Sequence, residues 1–274
     1  MIVDCFTFFN ELDLLEIRLK ELGEVVDRFV LVESTRTFQG KPKPLFFRDN
    51  ASRFGQFQPK IEHLIVDMPE TEDPWAREGF QRDSIKRAVA SLPPTAMVFV
   101  SDADEIFRSE AMRIAAANSQ FAFLEMDLFY YFLDLKDGKW MKPYCAPASE
   151  IMEMNDLSLP RWRERLYLDD RNLPEKGSIV ESAGWHFSWL GGLPRILSKI
   201  DSFSHAELRS WLNEPEKIAA EVAKGERFFA TGDALARVDR KVLPACVQKD
   251  YRRLARAGLF WKKPWYIRFL PPWK

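Results

Sequence analysis

The sequence predicts an α/β protein with a mainly parallel central sheet flanked by helices. Short apolar runs of strand length alternate along the chain with segments whose apolar residues recur with the period of a helix, and this alternation is typical of α/β layers. The 274 residues allow one large domain or two small ones, and 46% hydrophobic with 30% charged residues suit a sizeable core. A disordered or collagen-like chain is excluded.

Apolar runs bounded by turn residues are predicted as strands. They are rich in β-branched and aromatic residues and have the length of buried strands. The runs cover residues 2–9, 29–33, 61–67, 97–101, 121–135 and 179–189. Gly138 is expected near a turn, and Gly191-Gly192 follows the last run.

Helices are predicted where apolar residues return every three or four positions. Asn10 is expected to cap the first helix, and Asp73-Pro74 to start one that runs to about residue 92. Residues 109–118 and 194–203 predict two more, whereas the prolines of residues 141–176 indicate a loop-rich segment. On the first helix four polar residues are expected to face water, namely Glu11, Glu16, Arg18 and Lys20.

Charge and cysteine content exclude several classes of protein. Forty basic and 41 acidic side chains nearly cancel, so the chain lacks the global positive charge that duplex nucleic acid requires, and no nucleic-acid partner is expected. The three cysteines are too few and too scattered for a disulfide framework or a zinc cluster. The first residues are apolar without a basic n-region, and no apolar stretch is long enough to cross a bilayer. We therefore expect a cytoplasmic protein.

An acidic motif follows a buried strand in the middle of the chain. Residues 97–101 are apolar up to Ser101, and Asp102-Ala103-Asp104-Glu105 comes next. Ligands of open α/β sheets bind beyond the carboxyl ends of the strands, so these carboxylates fall where chemistry is expected. Two aspartates spaced i, i+2 can share a hard divalent cation such as Mg²⁺ or Mn²⁺, which would neutralise a diphosphate.

A series of short motifs resembles glycosyltransferase family 17. The motifs occur in order between about residues 2 and 205, and each is weak by itself. They are Asp4-Cys5-Phe6, Asn10-Glu11-Leu12-Asp13-Leu14-Leu15-Glu16-Ile17-Arg18-Leu19, Val32-Glu33-Ser34, Thr37-Phe38, Gly40-Lys41-Pro42-Lys43-Pro44-Leu45, Arg77-Glu78, Gln81-Arg82, Ser101-Asp102-Ala103-Asp104-Glu105-Ile106 and Gly184-Trp185-His186-Phe187-Ser188. The resemblance implies a GT-A type nucleotide-sugar-binding fold over residues 1–248 and inverting, metal-dependent transfer from a UDP-sugar, with N-acetylglucosamine expected, to a glycan or lipid-linked glycan.

Donor-binding roles are predicted for residues at the strand ends and on the helix before the acidic motif. Acidic residues at strand ends suit ribose hydroxyls, and arginines suit a diphosphate. The candidates are Phe6, Thr7, Asn10, Glu11, Glu33, Ser34, Arg77, Gln81, Arg82 and Asp102. Glu11 is alternatively a first-turn helix acid, and Glu78 with Arg82 a surface ion pair.

Metal ligands and the catalytic base complete the predicted site. Asp102, Asp104 and His186 are the expected ligands of Mn²⁺ or Mg²⁺, with His205 and then His63 behind His186, which is alternatively a hydrogen-bonded core residue. The base that deprotonates the acceptor hydroxyl stays open. Its candidates, Glu125 and Asp127 on one face of a strand, then Glu105 and Glu181, are named without choosing.

Two further surfaces are assigned by composition. Tyr130, Tyr131 and Trp140 are candidates for stacking on the acceptor sugar, with core packing as the alternative. Residues 249–274 hold eight basic side chains against one acidic, interleaved with Trp and Phe, which predicts either a peripheral contact with the anionic inner face of a membrane or a helix packed on the domain.

Two other functions remain open from sequence. A metal-dependent phosphohydrolase can also use Asp-x-Asp after a strand, although aspartate-nucleophile phosphatases usually carry it on the first strand with a threonine following. The other hypothesis is a catalytically silent module that binds a sugar nucleotide or a glycan.

Overall fold

A computed structural model describes residues 1–162, 178–229 and 234–262. The chain divides into two compact units. Unit 1 comprises Met1–Asp127 and Lys139–His186, and unit 2 comprises Leu128–Gly138 and Phe187–Lys274.

The centre of unit 1 is a parallel sheet of four strands. These are β1 (Ile2–Phe8), β2 (Arg28–Ser34), β3 (Ile61–Val66) and β4 (Met97–Asp102), in the order β3-β2-β1-β4. Antiparallel strands extend it, with β8 (Tyr144–Pro147) pairing β4 and also β6 (Ala122–Tyr130). The short strand β5 (Glu105–Phe107) pairs antiparallel with β9 (Ser178–Ser188). The predicted fold class, a mostly parallel sheet flanked by helices, is confirmed.

Helices connect and cover these strands. In unit 1 they are α1 (Leu12–Leu22), α2 (Phe46–Asp49), α3 (Pro74–Asp83), α4 (Lys86–Val89), α5 (Ser109–Asn118), α6 (Ala148–Glu153) and α7 (Leu159–Trp162), with a 3₁₀ segment at Ala51–Lys60. Side chains of β1 alternate between two apolar clusters, Phe6 and Phe8 packing with Leu15 and Leu19 of α1 while Val3 packs on the other face. The sheet is therefore buried on both sides.

Unit 2 has its own apolar core. Its elements are β7 (Leu135–Trp140, which continues into unit 1), α8 (Gly192–Ser202), α9 (Pro215–Lys224), β10 (Ala236–Arg237), α10 (Ala245–Lys249) and α11 (Tyr251–Arg256), with 3₁₀ segments at Ala206–Asn213 and Arg240–Val242. Ile196 and Ile200 of α8 pack with Ile218 of α9. Tyr131 packs into the same core, and its hydroxyl accepts a 3.2 Å hydrogen bond from the Phe228 amide.

The first predicted helix differs in its cap and in one side chain. Glu11, not Asn10, occupies the N-cap position, and its side chain does not cap the helix. Its carboxylate instead accepts hydrogen bonds from the preceding amides of Phe9 and Asn10, both at 3.0 Å. Arg18, expected to face water, is fully buried. Its charge lies against Asp4 inside the unit, so the prediction for Arg18 was wrong.

Two predicted elements are each divided in the structure. The strand expected over 121–135 ends at Tyr130 as β6, because Tyr131 takes the left-handed conformation at φ 63°, and β7 begins at Leu135. Gly138, expected near a turn, lies inside β7. The helix expected to reach residue 92 is α3 and α4. Its start is confirmed, with Asp73 accepting a 2.9 Å hydrogen bond from the Trp75 amide.

The described part of the basic, aromatic C-terminal segment packs in unit 2. Leu254, Leu259 and Phe260 are buried, and the Trp261 amide donates to Asp134 Oδ1 at 2.8 Å. Residues 263–274 lie outside the described residues, so membrane contact through them stays a prediction. No helix in the described ranges is long and apolar enough to span a membrane.

Candidate active site

The candidate site lies in unit 1 where the carboxyl ends of β1 and β4 meet. β1 pairs with β2 on one side and with β4 on the other. Ligands of open α/β sheets commonly bind beyond the carboxyl ends of such strands. Thr7 and Asp102 are register partners there, and the Thr7 hydroxyl donates a 3.1 Å hydrogen bond to Asp102 Oδ1. The sheet thus brings two of the predicted donor-binding residues together.

Two arginines neutralise the Asp102 carboxylate. Arg82 Nη1 of α3 lies 2.7 Å from Oδ1, and Arg161 Nη2 of α7 lies 2.7 Å from Oδ2. Burial would raise the pKa of Asp102, but Arg161 and Arg82 together hold it well below its ordinary value. The carboxylate is therefore ionised and already engaged, although its side chain keeps 34% exposure.

Glu105 forms the buried floor of this cluster. Its oxygens accept from both Arg161 amino groups at 2.9 and 2.8 Å, from Trp140 Nε1 at 2.6 Å and from the Asp102 amide at 2.7 Å. Its side chain is fully buried. Such saturation fits a residue that fixes the turn at 102–105 better than one that takes a proton from an acceptor.

Asp104 and His186 face each other beside this cluster. His186 Nε2 lies 3.5 Å from Asp104 Oδ1, and the imidazole packs on Trp140 with ring centroids 4.5 Å apart. β9 holds His186 directly across from Glu105 of β5. A Cβ at Gly184 would clash with the Ile106 carbonyl oxygen, so glycine is needed for β9 to lie this close to β5.

The Asp104 and His186 pair could hold a divalent cation. Carboxylate and imidazole are accepted ligands of Mn²⁺, and two cis ligands of one octahedral ion lie about 3 Å apart at bond lengths near 2.1 Å. The imidazole nitrogen that faces Asp104 is Nε2. The other nitrogen, Nδ1, is buried and has no hydrogen-bond partner among the described residues. No group of three His, Cys, Asp or Glu side chains suited to a metal occurs in the described ranges, so these two donors would need oxygens from a ligand.

Several predicted donor-binding residues make structural hydrogen bonds near the carboxyl ends of β1 and β2. Gln81 Nε2 donates to the carbonyl of Val32 at 2.7 Å, and Arg77 donates to the carbonyl of Phe38 at 2.8 Å and to that of Thr71. The buried Glu33 accepts from the Phe47 amide at 3.1 Å and contacts His63 at 2.9 Å. These contacts hold the ends of β1 and β2 and the loop after β2.

The remaining donor candidates lie at the same strand ends. Phe6 is buried beneath the guanidinium of Arg18, whose central carbon lies 4.2 Å from the ring centroid. The Ser34 hydroxyl donates to the Arg36 carbonyl at 2.6 Å. Asn10 and Glu11 form the turn between β1 and α1.

The base candidates Glu125 and Asp127 share one face of β6, as predicted from their spacing. Lys139 Nζ lies 2.7 Å from the Glu125 carboxylate and 3.3 Å from that of Asp127. Both carboxylates are largely covered, whereas Glu181 is exposed on β9. The structure therefore places Glu125 and Asp127 beside one shared cation.

The predicted acceptor residues divide between the units. Tyr130 and Tyr131 contact the apolar core of unit 2, which favours core packing for both. Trp140 lies in unit 1 against Glu105 and His186. His205, the second histidine candidate, pairs with Glu207 at 2.5 Å in unit 2.

Sequence reasoning missed two arginines. Arg161 lies in the proline-rich segment expected as loop, and no local pattern distinguishes it. Arg18 lies on the buried, leucine-rich face of α1, three residues after Leu15 and four before Leu22. Asp4 interrupts the apolar run of β1. Opposite charges placed inside two apolar patterns are a signal that could have revealed the pair.

A cleft of about 320 Å³ borders the cluster in unit 1. It is lined by Asp73, Trp75, Ala76, Glu78, Gly79, Asp156 and Ser158. Arg82 connects it to the cluster, because Nη2 donates to Glu78 at 2.9 Å and Nη1 to Asp102.

Comparison with known proteins identifies the family. The family model described as Glycosyltransferase family 17 matches residues 1–231, so the chain belongs to that family and the predicted resemblance is confirmed. The β-1,4-mannosyl-glycoprotein 4-β-N-acetylglucosaminyltransferases of Homo sapiens and Rattus norvegicus are each 26% identical over 243 residues, which cover 79% of this chain and 45% of theirs. The match thus spans under half the length of these relatives.

The chain is also similar to solved structures. HddC from Yersinia pseudotuberculosis, complexed with GMP-PN, matches at 12% identity and a TM-score of 0.42, over 67% of this chain and 90% of that one.

Proposed function

We propose that this protein is a metal-dependent, inverting glycosyltransferase that transfers N-acetylglucosamine from a UDP-sugar to a hydroxyl of a glycan or lipid-linked glycan. The observation that carries the proposal is that Asp102, Asp104 and His186 lie together at the carboxyl end of β4 in a family 17 chain. The relatives' names support N-acetylglucosamine as the sugar.

In this proposal Asp104 and His186 hold Mn²⁺ or Mg²⁺. The ion would supply neutralisation of the diphosphate leaving group. Asp102 has a different role, because both of its oxygens are already bound by guanidinium groups. We assign it to orienting Arg82 and Arg161 and, through its hydrogen bond from Thr7, to binding the ribose of the donor.

The arginines would assist departure of the nucleotide. Planar guanidinium groups bind phosphate oxygens in pairs, and Arg82 is anchored between Glu78 and Asp102 within reach of the adjoining cleft. A diphosphate entering beside them would compete with the carboxylates for the same N–H groups. Arg161, bound to Glu105 on two sides, is the more firmly fixed of the two.

The acceptor hydroxyl needs a base, and Glu125 and Asp127 are the proposed candidates. Their shared contact with Lys139 keeps both near one cation. We expect one of Glu125→Gln and Asp127→Asn to lower kcat by about 10²–10⁴-fold with donor binding retained, and the other to have a small effect. Single-turnover transfer with measured donor affinity distinguishes them, and equal activity of both variants with the parent would exclude both residues.

Titration of UDP with and without Mn²⁺ by calorimetry tests the function. The proposal expects UDP binding that requires Mn²⁺, followed by hydrolysis or transfer with a UDP-sugar in a screen of nucleotide sugars. Tight UDP binding without turnover of any donor would favour a silent binding module. Absence of metal-dependent UDP binding would overturn the proposal, and release of phosphate from monoesters would favour the phosphohydrolase.

A further inference from the structure

Arg18 of α1 is buried and fully hydrogen-bonded. A guanidinium has five N–H donors, and each of the five donated hydrogen bonds of Arg18 goes to a separate acceptor atom. Nε and Nη2 bind the two oxygens of Asp4 at 2.7 and 2.5 Å, and Nη2 also binds Ser101 Oγ at 2.6 Å. Nη1 binds the carbonyl oxygens of Asp102 at 3.0 Å and Glu105 at 2.9 Å.

The two carbonyls bound by Nη1 belong to the first and last residues of the turn that carries Asp104. A single nitrogen therefore bridges the turn from the protein interior. Ser101, the residue before the turn, is held by the same guanidinium. The main chain on both sides of Asp104 is thus bound by one side chain of α1.

Asp4 fixes the direction of this guanidinium. Both side chains are fully buried, and the Phe6 ring packs 4.2 Å from the guanidinium carbon. A buried ion pair is weak grounds for stability, because apolar residues of similar volume often stabilise a fold as well or better. Arg18 donates to main-chain carbonyls of Asp102 and Glu105, and the pair therefore contributes a defined position for residues 102–105.

We propose that Arg18, oriented by Asp4, is a positioning residue that fixes the turn at 102–105 and so directs the Asp104 carboxylate toward His186 and the donor diphosphate. This role rests on the proposed function for its consequence in binding. The claim that Arg18 fixes the turn rests only on the hydrogen bonds of Arg18.

Two variants separate positioning from folding. Asp4→Leu with Arg18→Met replaces the ion pair by apolar side chains and leaves no unpaired charge, whereas Arg18→Lys keeps the charge beside Asp4 but loses the fork that reaches both carbonyls. Lys20→Met is the matched control, because Lys20 is a basic residue of the same helix that pairs with Glu16 at the surface.

The first readout is amide hydrogen exchange over residues 102–105, measured on the full chain without ligand. We expect exchange to be about tenfold faster in both variants and unchanged in Lys20→Met. Folded variants that exchange at the parent rate would overturn the proposal. Failure of both variants to fold would assign the pair to folding and overturn it as well.

The second readout is the affinity for UDP in the presence of Mn²⁺. We expect both folded variants to lose about 10–100-fold, as residues that orient metal ligands commonly do, and Lys20→Met to match the parent. Faster exchange with parental affinity would overturn the positioning role. If the parent itself does not bind UDP with Mn²⁺, the proposed function fails, and hydrogen exchange alone decides whether Arg18 fixes the turn.

Discussion

Arg18 and Arg82 both bind Asp102, but at opposite ends of the residue. Arg18 holds the main-chain carbonyl from inside unit 1 and has no exposed surface, whereas Arg82 and Arg161 hold the carboxylate, which keeps 34% exposure. The interior contacts bind groups that no ligand can reach. The outer contacts are charge pairs that a diphosphate could exchange. One residue thus combines a main chain that is fixed in the interior with a carboxylate whose arginine partners would, under the proposed function, also bind a diphosphate.

Asp104→Ala should have the largest effect on this arrangement. We expect transfer to fall by about 10³-fold or more, because the carboxylate that would hold the cation is removed while both arginine networks stay intact. Turnover of a UDP-sugar measures it, with the exposed Glu24→Ala as control. Parental turnover with normal Mn²⁺-dependent UDP binding would show that Asp104 is not a ligand.

Removal of Arg161 should destabilise the protein more than removal of Arg82. Arg161→Met leaves the fully buried Glu105 without its cation, at a cost of about 3–5 kcal/mol in the free energy of unfolding. Arg82→Met leaves carboxylates that still contact water, with 12% exposure at Glu78 and 34% at Asp102.

Chemical denaturation of these two variants at pH 7 measures the difference. Equal losses would show that the outer cluster does not divide into a fixed and an exchangeable arginine.

Sequence reasoning located the sheet and the acidic motif but not the ion network beneath it. Apolar runs and their turn residues identify β1 to β4 because those signals are local. Arg18 was assigned to water because a helical pattern treats a charge as solvent-facing, and its partners lie far along the chain, at Asp4 and at 101–105. The end of β6 at Tyr131 could not be predicted from the sequence either, because the left-handed conformation of this tyrosine depends on the core that surrounds it.

The smallest effect should be the change with pH in the contribution of the Asp102 carboxylate to the free energy of unfolding. Its pKa in the folded protein is depressed, so its stabilising contribution is present above the ordinary aspartate value and is lost as pH falls through the lower, folded value. Asp102→Asn removes this contribution. We expect the gap in unfolding free energy between parent and variant to be widest near pH 7 and to narrow below about pH 4.

Denaturant titrations of the two proteins across this pH range measure the gap. A gap that stays constant or widens in acid would mean that pairing of the ionised Asp102 carboxylate with the arginines does not stabilise the fold.

Electron spin echo spectroscopy of Mn²⁺ bound with UDP tests whether Asp104 and His186 together hold a divalent cation at the end of β4. The chain has three histidines, so imidazole nitrogen coupling can be assigned by substitution. We expect coupling from one imidazole that disappears in His186→Gln and persists in His205→Gln. Bound Mn²⁺ without nitrogen coupling, or coupling that survives in His186→Gln, would contradict it.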